Sequence, residues 1–291
     1  MRPQTNPDPA PAGRLFVVAT PIGHLGDLTV RAGQILAQVD LVAAEDTRRT
    51  RKLLSHLGVK VSLVSYRQHN QARAGPKLIK ALEAGQDVAL VTDAGTPSLS
   101  DPGRDLIKAA LEARIKVIPL PGPSAVAAAL SVSGLNADRF TFAGFLPAKA
   151  KARQELLEKL ASRPETLVFF EAPHRLAESL ADMAQALGPR RAVVCRELTK
   201  LNEEIIRADL VQLRAWAGER QVKGEVTLVV AGAEPNRPPA DSAAVGRAWA
   251  ECRSRGLSAA QAAKEVAQVL GLPRTEVYRL GLAQEEEKSE S

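Results

Sequence analysis

From Arg14 onward, short apolar runs alternate with amphipathic stretches of helical length, a rhythm that predicts strands joined by crossover helices. The runs at 15–19, 41–44, 61–65, 87–91 and 116–120 lack strict alternation, as expected of a parallel sheet covered on both faces. Helices are predicted over 29–38 and 47–57, with another closing at Gly85. Gly58 and Gly85 stand where a left-handed helix stop is favoured. Further strands are predicted at 140–144, 166–170, 192–195, 204–207 and 225–230, and the short alternating segment at Glu204 points to a mixed second sheet. The fold class is α/β.

Residues 233–240 carry three prolines in eight positions, which opposes helix and central strand and reads as a linker. Beyond it three helices are predicted, at 242–255, 258–270 and 275–282, with stops at Gly256 and Gly271. Ser258 and Gln261 have the spacing of a capping box, and Ala259, Ala262, Ala263, Val266 and Leu270 share one apolar face. The short 271–274 connection makes the last pair resemble a helix-turn-helix, which fits a packing bundle or an RNA-touching module. The expected organisation is a disordered tail at 1–13, an α/β domain at 14–122, a second at 123–232 and a linker at 233–240. A small helical unit at 241–283 and a frayed acidic tail at 284–291 follow.

Composition narrows the function. Apolar residues at 45% and charged residues at 25% describe a globular chain, while 3% aromatics are too few for a surface that stacks single-stranded bases in series. The net charge of +6 favours an anionic partner. Cys195 and Cys252 have no metal-site or disulfide spacing, so no metal is expected and a reducing cytoplasm fits. No apolar run approaches the roughly 20 residues of a membrane span, so no membrane partner is expected. Basic residues crowd at Arg48, Arg49, Arg51 and Lys52 and again at Lys149, Lys151 and Arg153. Either run alone fits a solvated helix face; together, beside candidate site loops, they point to RNA phosphates.

Open α/β sheets bind ligands at the loops that follow their strands. Three such loops are rich in Gly and Pro: Thr20 to Asp27, Asp93 to Gly103, and Pro121 to Ala125. Glycine admits a ligand close to the backbone, proline limits the entropy lost on binding, and helix starts near Gly103 and Ser124 offer free amides to an anion. There is no GxGxxG, no GxxxxGK[ST], no GxSxG and no HExxH, which disfavours standard dinucleotide, triphosphate, serine-hydrolase and zinc-protease sites.

Val18-Ala19-Thr20-Pro21-Ile22-Gly23, Ala43 to Arg48, the Asp93 to Gly103 loop, Pro119 to Ala125, Glu171-Ala172-Pro173-His174-Arg175-Leu176 and Arg196-Glu197-Leu198-Thr199-Lys200 occur in one order. This set resembles the tetrapyrrole methylase superfamily, and within it the branch acting on ribosomal RNA. His24 stands where that branch usually has Asn, and the GlyProGlyAspPro loop of the porphyrin-acting relatives is missing. The resemblance implies two α/β domains of the tetrapyrrole methylase type holding S-adenosylmethionine between them, a helix-turn-helix-like tail, and a cytoplasmic homodimer. It also implies methylation of the ribose 2′-oxygen of cytidine 1402 in 16S rRNA, within the small ribosomal subunit. Carried over residue by residue, it places the cofactor at Pro21, Asp93, Gly95, Pro97, Ser98, Pro123, Ser124, Ala125 and Gly232. A small-molecule methylase acting on a tetrapyrrole and a noncatalytic RNA-binding assembly protein are the competing readings.

Methyl transfer to a ribose hydroxyl needs in-line alignment, exclusion of water, and a group to take the hydroxyl proton. Glu45, Asp46, His69, Glu171, His174 and Glu197 are the candidates by residue type, with Glu45, Glu171 and His174 preferred. Asp46 equally fits a cap for the helix at 47–57.

Overall fold

In the computed structural model, which describes residues 12–234, 242–270, 272 and 274–289, five short strands run parallel. They are β1 (Arg14–Val18), β2 (Leu41–Ala44), β3 (Ser62–Ser65), β4 (Val88–Val91) and β5 (Lys116–Leu120), in the order β3-β2-β4-β1-β5. Their apolar residues serve both faces. Val42 and Phe16 meet Ala32, Leu36 and Leu54 of α1 (Val30–Gln38) and α2 (Thr47–His56). Ala43 and Leu15 meet Leu78, Leu82, Leu106 and Ala110 of α3 (Gln71–Glu83) and α4 (Arg104–Glu112). Each fully buried leucine contributes about 1.5–3 kcal/mol. Gly58 and Gly85 adopt positive φ at the ends of α2 and α3, as their positions predict.

The second sheet is mixed, as the Glu204 segment suggested. It comprises β6 (Phe140–Phe145), β7 (Thr166–Glu171), β8 (Arg191–Arg196), β9 (Glu204–Asp209) and β10 (Val226–Val230), in the order β6-β7-β10-β8-β9. Only the β6/β7 pair is parallel. The small-residue helix α5 (Ala125–Ser133) covers one face over Val168, Val193 and Val229. Helices α6 (Ala150–Leu160), α7 (Leu176–Leu187) and α8 (Leu210–Gly218) cover the other. Both sheets lie in one compact unit that ends at Ala233.

From Glu234 a second unit begins, with α9 (Ser242–Ser254), α10 (Ala259–Leu270) and α11 (Arg274–Ser289) around a core of its own: Val245, Trp249, Ala262, Ala263, Val266 and Val277. Gln261 Oε1 accepts from the Ser258 amide, and Ser258 Oγ accepts from the Gln261 amide, closing the expected capping box. Within the stretch expected as an acidic tail, α11 continues to Ser289. Glu285 accepts from Trp249 Nε1 at 2.9 Å and from Arg253 Nε at 2.6 Å, partners that composition cannot reveal. The expectations for residues 1–11, for the linker at 235–240 and for the Gly271 stop lie outside the described residues. Among the described residues no helix is long and apolar enough to cross a membrane.

Candidate active site

Because β4, β1 and β5 are adjacent and parallel, the three Gly/Pro-rich loops emerge side by side from one edge of the sheet. Thr20 and Gly95 exchange backbone hydrogen bonds at 2.9 and 3.0 Å, and Thr20 Oγ1 donates to the Thr92 carbonyl at 3.1 Å. Thr96 Oγ1 donates to the Pro123 carbonyl at 3.4 Å. Gly95, at φ +82, makes the turn that the first of these links requires. In the first loop, His24 Nδ1 accepts the Gly26 amide at 3.1 Å, so the imidazole caps the short turn that follows it.

A cavity of about 370 Å³ opens between these loops and one end of the second sheet. That volume falls in the range of small-molecule sites, about 300–1,000 Å³. Ile22, Asp93, Gly95, Ser124 and Ala125 line it from the loops, and Glu45 from the end of β2. Opposite them stand Phe170 and Glu171 at the end of β7, Cys195 in β8, and Val226 and Thr227 at the start of β10. An adjoining cavity of about 350 Å³ shares Ile22, Arg49, Asp93, Ala94 and Glu225, and adds Pro21, Lys52 and Lys200.

The environment of each candidate sorts its role. Glu45 Oε2 accepts from Thr92 Oγ1 at 2.9 Å, leaving the carboxylate in the cavity. Asp46 caps α2, and the Arg48 side chain and amide hold its carboxyl well below the ordinary range. Burial pushes the Glu197 carboxyl up, but the Lys200 ammonium and Glu225 amide overcome this and hold it below its usual value. Burial also pushes the Cys195 thiol up to about 11, which keeps it protonated and unreactive.

The structure gives several expected residues surroundings that the sequence does not reveal. Glu171, preferred as a proton acceptor, has a fully buried side chain bound by the Ala172 amide, Arg175 and Ser179. Three donors hold its two oxygens, which makes it an anchor for the turn that follows β7. His174 is exposed and lies outside the cavity lining, whereas its neighbour Pro173 in the 3-10 turn lines it; His69, between β3 and α3, is also exposed and outside the lining. Arg153, expected at RNA, is 3% exposed and paired with Asp182 at 2.6 Å. Gly232 lies beyond the far end of β10, since that strand runs antiparallel to β7 and β8 and presents its start to the cavity. A Cβ at Gly232 would overlap the Pro164 carbonyl, which accounts for the glycine. Pro97, Ser98 and Pro123 lie outside the lining and shape the loops that form it; Pro21 lines the adjoining cavity.

Residues that the sequence did not single out complete the lining: Thr96, Leu99, Asp101, Phe145, Phe170, Glu225 and Thr227. Asp101 sits inside a loop already marked by its glycines and prolines, so Ser100-Asp101-Pro102 was the available signal. Thr96 and Leu99 share that loop, and the others come from the second sheet or the turn before it.

The lining suits an S-adenosylmethionine-like donor. Phe145, Phe170, Leu99 and Ile22 offer an apolar wall for a purine nucleoside, and Glu45, Asp93, Asp101 and Glu225 offer carboxylates to a cationic group. Ser124 caps α5 without a side-chain hydrogen bond, so it does not compete for the amides of the first turn.

Residues 14–214 match the family described as tetrapyrrole (corrin/porphyrin) methylases. The chain belongs to the tetrapyrrole methylase family. Residues 239–285 match the RsmI C-terminal HTH domain. Ribosomal RNA small subunit methyltransferase I of Synechocystis sp. is 46% identical over 272 residues, covering 93% of this chain and 98% of the relative. The protein of the same name from Xylella fastidiosa is 47% identical, covering 91% and 98%. Uroporphyrin-III C-methyl transferase from Thermus thermophilus, solved in complex with S-adenyl homocysteine, shares the fold with a TM-score of 0.56. It is 20% identical and covers 75% of this chain and 97% of that one.

Proposed function

We propose that this chain is an S-adenosylmethionine-dependent methyltransferase of small-subunit ribosomal RNA, acting on the ribose 2′-oxygen of cytidine 1402. The observation that carries this reading is the cavity itself: one lobe apolar and acidic, suited to a cationic nucleoside, opening toward an adjoining space edged by Arg49, Lys52 and Lys200. In support, relatives over nearly the whole chain are named ribosomal RNA small subunit methyltransferase I, and the C-terminal helices match a domain named for RsmI.

When bound, S-adenosylmethionine supplies an electrophilic methyl group. Gly95, Asp93, Ser124, Ala125 and the aromatic pair Phe145 and Phe170 would hold the donor. Phe170 and Leu198 limit water access, which favours a displacement that neutralises charge. Arg49 and Lys52, joined by the exposed Arg51, Lys149 and Lys151, attract the RNA backbone. The acceptor hydroxyl must lose its proton to a carboxylate in the cavity, and Glu45 and Asp101 are both placed there. The same reading includes a cytoplasmic homodimer and recognition of rRNA within the small subunit.

Purified protein, labelled S-adenosylmethionine and small ribosomal subunits lacking the modification test the proposal. A methyl group mapped to the 2′-oxygen of that cytidine is the expected result. Transfer to a base, or to a tetrapyrrole and not to RNA, overturns it. Light scattering of the purified protein checks the dimer.

A further inference from the structure

The turn between β8 and β9 holds two non-glycine residues, Glu197 and Thr199, in the left-handed region at φ 54 and 64. That conformation is costly for a residue with a Cβ and persists where surrounding structure over-determines it. Several segments fix this turn. The His24 amide donates to Thr199 Oγ1 at 3.1 Å, and the Thr199 amide donates to Glu203 Oε2 at 2.7 Å. Gly23 leaves room for the Lys200 stem and Gly224 for the Glu197 carboxylate, since a Cβ at either position would overlap them. Glu197 Oε1 accepts from Lys200 Nζ at 2.8 Å and from the Glu225 amide at 2.9 Å. The residue so delivered is Lys200, whose ammonium stands 3.2 Å from Glu225 Oε2.

Lys200 lines the cavity of about 350 Å³ beside the donor pocket but not the donor pocket itself, whereas Glu225 lines both. The pair therefore stands where the two spaces meet. An ammonium has three protons to donate. Glu197 and Glu225 take two, which leaves one for a ligand, and Lys200 occupies Oε2 of Glu225, which leaves Oε1 to accept. Burial favours loss of the Lys200 proton, but the two carboxylates outweigh it and raise the affinity for that proton, so the donor stays charged. With two carboxylates around one ammonium the local charge is negative. Such a pair repels a phosphate and suits an uncharged edge that accepts one hydrogen bond and donates another. Arg49 and Lys52, lining the same cavity, are left for the phosphates.

Resting on the methyltransferase reading above, we propose that Lys200 and Glu225 determine base specificity in the adjoining cavity: Lys200 donates to N3 of the target cytosine and Glu225 accepts from its N4 amino group. RNA bases are read in this way on their Watson–Crick edges once unpaired and turned out of the stack. Uracil presents the reverse, a carbonyl to the carboxylate and an N–H to the ammonium, so both contacts turn repulsive. Adenine shows the same pattern as cytosine on this edge, so the pair separates amino bases from keto bases.

Small subunits carrying either cytidine or uridine at the target position, offered to the full chain with labelled S-adenosylmethionine in single turnover, test this. Glu225 also lines the donor pocket, so the readout is the ratio of the two rates, in which donor affinity and the folded fraction cancel. The wild type is expected to favour cytidine by about 10- to 100-fold. Lys200→Met removes the donor, and Glu225→Gln supplies an amide that can face a carbonyl or an amino group. Each is expected to lower the ratio about fivefold or more. Glu225→Gln keeps the side-chain shape and the Lys200–Glu197 pair, so it decides the matter even if Lys200→Met fails to fold. A Lys200 that only pins the turn would lower both rates alike and leave the ratio at its wild-type value. That result in either folded variant overturns the inference, as does a wild type that methylates cytidine and uridine equally, while the functional reading stands. A wild type that methylates neither overturns the functional reading, and this inference with it.

Discussion

Glu171 accepts from the Ala172 amide, the Arg175 guanidinium and the Ser179 hydroxyl, and its side chain is shut from solvent. Removing one member of a buried pair leaves an uncompensated charge, at a cost of about 3–5 kcal/mol. Glu171→Ala is therefore expected to lower unfolding stability by that order in urea titrations, whereas a stability near wild type would restore it as a free acid–base group. Asp101 makes the opposite case. Its folded-state affinity for a proton is raised from an ordinary value of 3.8 to about 6, so the folded chain binds the proton more tightly than the unfolded chain. The contribution of this group to stability is complete below about pH 4 and is lost as pH rises through about 6. Asp101→Asn is expected to match the wild type at low pH and exceed it above pH 6 by denaturant titration, while losing activity. An active site that costs stability behaves in this way.

At the scale of an element, α6 shows why a run of charge is ambiguous. Lys149 and Lys151 are exposed at its start, but Arg153 turns inward to Asp182 and Glu178 of α7. Lys149 is the cap residue, and positions two apart on a helix, such as Lys151 and Arg153, point to different faces, of which tertiary packing buries one. Lys149→Ala with Lys151→Ala is expected to reduce the salt dependence of RNA binding by somewhat under one unit of logarithmic slope for each phosphate no longer neutralised. Arg153→Ala should leave the slope unchanged and reduce stability; a change of slope with intact stability would return Arg153 to the RNA surface. β10 carries the same lesson for glycine. Gly232 follows an apolar strand and has the look of a ligand-side residue, yet the strand runs antiparallel to both neighbours and reverses which end meets the cavity.

Across the whole molecule, two units with separate cores predict two unfolding events. Trp249 is buried in the C-terminal unit and Trp216 lies in α8 of the two-sheet unit. With Trp216→Phe, fluorescence reports Trp249 alone and is expected to follow a transition distinct from the circular-dichroism change of the two sheets. Coincident transitions would show that the units unfold together.

The parallel sheet, the mixed second sheet, the caps at Asp46 and Ser258 and the three loops were legible because each is written over a few consecutive residues: an apolar run, a cap spacing, a Gly/Pro turn. The loops could be placed on one edge because a parallel sheet puts all its strand ends together. Local pattern could not say that Thr92 gives its proton to Glu45, that Arg49 stands by Asp93, or that Glu171 is enclosed by the turn and helix that follow it. Those facts depend on side chains from distant segments sharing one low-dielectric space, where distance and burial set protonation. The chain's pattern thus determined which elements form and which loops meet; the tertiary structure alone decided which carboxylates are paired away and which stand in the cavity.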